Sequence, residues 1–145
     1  MTIWISPRTL EELNGSQAGT LIKTLGIAFS EIGEDYLRGT MPVDERTKQP
    51  FGLLHGGASV ALAETLGSIG ATMCVDNAQF VCVGQEINAN HVRAVSRGLV
   101  TGTARPLHIG GRTHVWTIEI VNEAGKLVCI SRLTMAVIRV ENRAS

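Results

Sequence analysis

The sequence predicts an α+β chain in which an antiparallel sheet of five or six strands wraps around one long central helix. Three observations carry that expectation. Apolar residues alternate at period two before residue 44 and again after residue 80, one long helix-forming run lies between them, and most strand candidates are separated by turns too short for parallel crossovers. With 145 residues, the chain is expected to form a single domain, 1–145, with a sizeable core.

In chain order, "RTLEELN" at 8–14 predicts a short leading helix or turn, capped by Ser6 or Thr9 with Pro7 near its first turn. "LIKTLGIAFSEIG" places Leu25, Ile27 and Phe29 at period two, and "YLRGTMPV" continues with Leu37, Met41 and Val43, so a hairpin turning at 33–35 is expected. The polar "DERTKQPFG" is a loop. From Gly57 to about Asp76 the apolar residues surround the helix axis, which excludes a simple amphipathic surface helix. At 1.5 Å per residue such a helix spans roughly 27 Å, enough to cross a twisted sheet. Strands are expected at 80–96, 98–107, 112–121 and 126–140, with Val81, Val83, Ile87 and Ala89 on one face of the first and Trp116, Ile118 and Ile120 on one face of the third. A single sheet covers only one side of the helix, so a second subunit is the simplest cover for the rest. The final "ENRAS" is expected to fray.

Thirteen basic and thirteen acidic side chains balance, so no long-range field draws the chain to nucleic acid or to an anionic membrane. Neither a basic-then-apolar leader nor a run of 18 apolar residues is visible, so secretion and membrane spanning are not expected and a cytoplasmic location is. Cys74, Cys82 and Cys129 are odd in number and lie among apolar neighbours, as reduced core thiols do. No CxxC pair exists and His55, His91, His108 and His114 lack ligand spacing, which argues against a zinc site. Trp4 and Trp116 read as packing residues.

Glu64 is the only charged residue between His55 and Asp76. Burying an isolated carboxylate costs several kcal/mol, so it has a partner, is protonated, or faces a cavity. Ser68, four residues on, shares its helix face. "HGG" at 55–57 opens the helix, where backbone N–H groups and the dipole favour developing negative charge, and glycine lets a carbonyl approach. A thioester or ester carbonyl held by the Gly56 N–H, with Glu64 about two turns inward to attack it or activate water, would suit acyl hydrolysis. The same residues admit a structural reading, in which the glycines allow close packing and Glu64 pairs across a subunit contact. Gln49 could donate to the carbonyl or orient a water, and His55 is either a pocket donor or a helix cap. His91 and Arg93 lie on one strand face, with Arg97, Arg105 and His108 near in sequence, a set that could hold coenzyme A phosphates or be ordinary solvated residues. No GxSxG elbow and no GK[ST] phosphate loop is present.

"QPFGLLHGGASVALAETLGSIG", "GQEINANHVRAV" and "RPLHIGGRTHVWTIEI" together resemble the hotdog-fold acyl-CoA thioesterases over residues 9–140. The similarity is to the branch that hydrolyses aryl-CoA esters such as hydroxybenzoyl-CoA or 1,4-dihydroxy-2-naphthoyl-CoA, or removes aryl groups misloaded in siderophore synthesis. The resemblance implies Glu64 as the catalytic carboxylate, Gly56 as the carbonyl-polarising N–H, and Gln49, His55 and Ser68 as pocket residues. It further implies coenzyme A or active-site contacts from His91 and Arg93, reached from a neighbouring copy. A homotetramer built as a dimer of dimers is implied as well, with sites at the subunit boundary and no metal or redox cofactor, coenzyme A arriving with the substrate. Leu54, Ser68, Met73 and residues 80–83 are expected to wall the acyl pocket. A dehydratase or hydratase on the same fold, or a non-catalytic acyl-CoA-binding module, remains open from sequence.

Overall fold

The computed structural model describes residues 1–15 and 17–141; of the residues expected to fray, 141–145, all but Glu141 lie outside the described residues. Two short helices, α1 (Leu10–Gly15) and α2 (Leu21–Leu25), precede the hairpin of β1 (Ala28–Ile32) and β2 (Leu37–Pro42). The long helix α3 (Gly56–Met73) follows, then β3 (Phe80–His91), β4 (Leu99–Ile109), β5 (Thr113–Val121) and β6 (Leu127–Arg139). All pairings are antiparallel, in one six-stranded sheet of order β1-β2-β4-β5-β6-β3.

Thr9 rather than Ser6 caps α1, through a reciprocal box in which Thr9 Oγ1 accepts from the Glu12 N–H and the Glu12 carboxylate accepts from the Thr9 N–H. Ser6 instead donates to the carbonyl of Val75, 2.7 Å away. Residues 21–25, expected to begin a strand, are helical. Thr20 caps that turn by accepting from Lys23 N–H, and Gly26, at φ 70°, ends it in a left-handed conformation that glycine adopts without a Cβ penalty. The period-two pattern therefore becomes a strand only from Ala28.

The sheet curls around α3, which buries Leu62 and Leu66 completely against it. Each fully buried leucine contributes about 1.5–3 kcal/mol. Trp116 lies under Gly70 of the helix and stacks on Trp4 with ring centroids 6.5 Å apart, so both tryptophans pack as expected. Ala61, Glu64, Thr65, Ser68 and Thr72 form the helix's outward stripe and remain half-buried. Cys74, Cys82 and Cys129 are unpaired, and burial pushes the Cys74 thiol up to about 12.

Two strand expectations are corrected. β3 does not neighbour β4: it leaves the sheet after His91, and residues 92–98 cross the helix start, where the Val95 carbonyl accepts from Leu54 N–H at 2.7 Å. β3 thus lies at the sheet edge beyond β6. Second, a β-bulge between Gly84 and Glu86 shifts the register, so Val81 and Val83 point outward while Ile87 and Ala89 pack on the core. One inserted residue reverses the side-chain alternation, which is why the four do not share a face.

Candidate active site

The loop 44–54 fixes the start of α3 by a series of local bonds. His55 N–H donates to Thr47 O at 2.8 Å, Thr47 Oγ1 donates to Pro42 O at 2.7 Å, and Gln49 N–H donates to Leu53 O at 2.8 Å. His55 is the helix N-cap, its Nδ1 accepting from Gly57 N–H at 2.8 Å. The ring proton therefore belongs on Nε2, and of the two roles open from sequence the cap is the one this geometry exhibits. Ala58 and Ser59 N–H groups donate to the His55 carbonyl. Gly56 N–H is left without an acceptor among the described residues.

A cavity of about 390 Å³ opens at this point, lined by Gln49, Leu54, Gly56, Ser59, His91 and Arg93, with Leu53, Val92, Ala94 and Val128 completing the wall. Gln49 Oε1 accepts from Phe51 N–H, which turns the amide NH₂ away as the donating end. His91, at the end of β3, stands directly over Gly56, its Nε2 2.8 Å from the point a Cβ would occupy. This contact lies within one chain, whereas the resemblance implied that His91 is reached from a neighbouring copy. Arg93 Nε donates to Leu127 O at 3.2 Å beside the cavity.

The other expected coenzyme A contacts are not brought here. Arg105 Nη1 donates to Asp35 Oδ1 at 2.6 Å, and its guanidinium lies over the Tyr36 ring, 4.4 Å from the centroid. His108 packs against Gly110 at the β4–β5 turn. Closeness in sequence does not bring them to this cavity, because each residue sits on the outward side or far end of β4. Met73 is buried in the core, and residues 80–83 sit at the opposite end of β3 from His91. Ser59 was missed as a lining residue, although its place three residues after Gly56 puts it on the same side of the helix.

Glu64 and Ser68 occupy the outward stripe of α3, one turn apart. Glu64 has no hydrogen-bond or ion-pair partner among the described residues, and its carboxylate lies over Gly84 at the β3 bulge. Eight residues of helix separate it from Gly56, roughly 12 Å at 1.5 Å per residue. The start of this helix therefore offers an anion-favouring N–H, and its midpoint a carboxylate about two turns further along the axis.

A family model described as the thioesterase superfamily matches residues 51–129, which hold α3, the bulge and every lining residue of the cavity except Gln49. This chain belongs to the thioesterase superfamily. Among similar proteins, a 1,4-dihydroxy-2-naphthoyl-CoA hydrolase of Escherichia coli K12 is 55% identical over 136 residues, covering 94% of this chain and 99% of its own. A proofreading thioesterase EntH of Cronobacter turicensis is 53% identical over 135 residues, with 93% and 98% covered. The crystal structure of a mutant of thioesterase PA1618 from Pseudomonas aeruginosa aligns with a TM-score of 0.94 at 50% identity, covering 96% of this chain and 100% of that one. This thioesterase has the hotdog fold, and thioester hydrolysis is its chemistry. No helix among the described residues is long and apolar enough to cross a membrane.

Proposed function

We propose that this thioesterase hydrolyses an aromatic acyl-CoA ester, of the hydroxybenzoyl or 1,4-dihydroxy-2-naphthoyl type, to the free acid and coenzyme A. The observation that carries the reading is the unpartnered Gly56 N–H opening into the 390 Å³ cavity beside the Gln49 amide. In this reading the Gly56 N–H donates to the thioester carbonyl and strengthens that bond as the oxyanion forms. Gln49 NH₂ donates to the same oxygen or to the attacking water. His55 acts by fixing the first turn of the helix.

Glu64 either adds to the carbonyl carbon, giving an anhydride that water then opens, or removes a proton from the water that adds. In both routes the carbon–sulfur bond breaks with its electron pair on sulfur. Coenzyme A thiolate is a good leaving group, so the reaction requires no acid to protonate it and no cofactor beyond the coenzyme A that the substrate brings. Ser68 holds the water or the acyl ring, and Arg93 and His91 meet the coenzyme A end. Gly67 and Gly70 face the core, where an added Cβ would meet Leu133 and Trp116, so Ser68 and not these glycines borders the acyl side. The hydrolase and the proofreading thioesterase among the similar proteins support two candidate roles, menaquinone synthesis and proofreading in siderophore assembly, and the proposed location is the cytoplasm.

The separation of roughly 12 Å between Gly56 and Glu64 supports a site shared by two copies, with the glycine from one and the glutamate from the other. Two further features agree with such a joint: the half-buried stripe of α3, and a twelve-residue edge strand, β3, whose outer backbone groups invite pairing. A dimer joined along β3 and doubled into a tetramer is the proposed assembly, each subunit being the single domain 1–145.

Release of free thiol from hydroxybenzoyl-, dihydroxynaphthoyl-, phenylacetyl- and straight-chain acyl-CoA, with Glu64→Gln run beside the parent, tests the reading. Aryl esters should turn over fastest, and Glu64→Gln should lose a hundredfold or more in kcat, the scale on which positioned acid–base groups act. Parental activity in Glu64→Gln would overturn the role of Glu64; faster hydrolysis of straight-chain esters would overturn the aromatic assignment.

A further inference from the structure

We propose that Gly84 is a positioning residue for the Glu64 carboxylate; this rests on the reading of Glu64 as the catalytic carboxylate. A Cβ built on Gly84 would collide with Glu64 Oε1 and stand 3.5 Å from its carboxyl carbon. Apart from Met135 Sδ at 3.9 Å, the nearest atoms to that point belong to the Glu64 carboxylate. The space left by the missing side chain is therefore the seat of the carboxylate.

Backbone conformation does not account for glycine here. The glycines at positive φ are Gly19, Gly26, Gly52, Gly98 and Gly125, and Gly84 is not among them. Strand interiors disfavour glycine, which contributes no side chain to packing and loses more chain entropy on folding than other residues. The residue is explained instead by the close approach of Glu64. The bulge between Gly84 and Glu86 bends the edge strand at this same point, a device that re-aims groups beside a site. With no ion pair or hydrogen bond to hold it among the described residues, the carboxylate is located by shape, between the exposed backbone of β3 and its own helix.

An alanine at 84 would meet only the far end of a flexible side chain, so the carboxylate yields and the fold does not. Gly84→Ala should keep a thermal midpoint at or above that of the parent. It should lower kcat roughly tenfold to a hundredfold, the cost of an ångström-scale misplacement of a reacting group, with KM within about threefold. Glu64→Asp, one methylene shorter, withdraws the carboxylate from the new methyl group. In that background the same alanine should cost less than about threefold, a coupling that general damage to the sheet would not produce. Parental kcat in Gly84→Ala, an equal loss in the Glu64→Asp background, or a variant that unfolds would each overturn the proposal. A Glu64→Gln variant with parental activity would instead remove the reading of Glu64 on which it stands.

Discussion

His91 Nε2 stands 2.8 Å from the position of a Cβ on Gly56, so the imidazole roofs the one N–H of the α3 start that finds no acceptor among the described residues. The cradle is made by two elements far apart in sequence, the glycine-rich helix start and the end of the edge strand. Its floor is a backbone amide, and its roof is a side chain that could turn aside.

Gly56→Ala fills that cradle without removing the N–H. The methyl group meets the His91 ring and also stands where a carbonyl must come close, so kcat/KM for the favoured ester should fall at least about tenfold, about 1.4 kcal/mol or more in transition-state binding. His91→Ala makes room for the methyl and should soften the loss if the steric conflict with the ring dominates. A double-mutant cycle read in kcat/KM decides it. Strict additivity would show that Gly56 acts through the carbonyl approach alone.

The proposed sharing of one site by two copies carries a test of its own. Glu64→Gln and Gly56→Val each disable both sites of a homodimer, but a mixed dimer keeps one site intact, built from the parental glycine of one copy and the parental glutamate of the other. Random mixing makes half of the dimers mixed, so co-expressed variants should recover about a quarter of parental activity. Recovery is measured as thiol release on the purified mixture. A mixture no faster than its better component would mean that each chain completes its own site, and the 12 Å separation would then need closing by some other motion.

Much of this was legible in the sequence, for definite reasons. Glu64 stood out because it is the only charge between His55 and Asp76, and helix spacing alone put Ser68 beside it. His91 was placed on the face of Ile87 and Ala89 by simple alternation, and it does reach the helix start. The same alternation failed for Val81 and Val83, because a bulge adds one residue without changing the composition of the strand. Arg105 and His108 lie away from the cavity of their own chain, because nearness along the chain says nothing about which side or end of a strand a residue occupies. The α2 turn was hidden because Leu25, Ile27 and Phe29 alternate convincingly, while the deciding groups were the caps, Thr20 and Gly26.

Gly70 sets two effects of opposite sign against each other. Alanine is favoured over glycine in a helix interior by about 1 kcal/mol. Here its methyl would come within 2.9 Å of Cη2 and Cζ3 of Trp116, a fully buried ring that Trp4 backs by stacking. Overpacking a closed core costs about 1–3 kcal/mol, and a braced indole is poorly able to retreat. Gly70→Ala should therefore be destabilised, by up to about 2 kcal/mol net, in chemical denaturation. A stabilised variant would show that the indole slides aside freely.

His114 is 1% exposed, and neither ring nitrogen has a hydrogen-bond partner among the described residues. Burial, helped by the nearby His108, holds its pKa below the ordinary histidine value. Above about pH 6.5 the ring is neutral in both the folded and the unfolded chain, and it adds no pH dependence. Below that, the unfolded chain takes up a proton first, so stability falls with pH until the folded-state pKa is passed. Replacing His114 with leucine removes both the titration and two unsatisfied polar atoms, whose burial costs about 1–3 kcal/mol when unmet. His114→Leu should then be at least as stable as the parent at pH 8 and should lose less stability between pH 7 and pH 5, as read from denaturant midpoints. Parallel pH profiles for the two proteins would mean that the buried ring is not what makes this fold sensitive to acid.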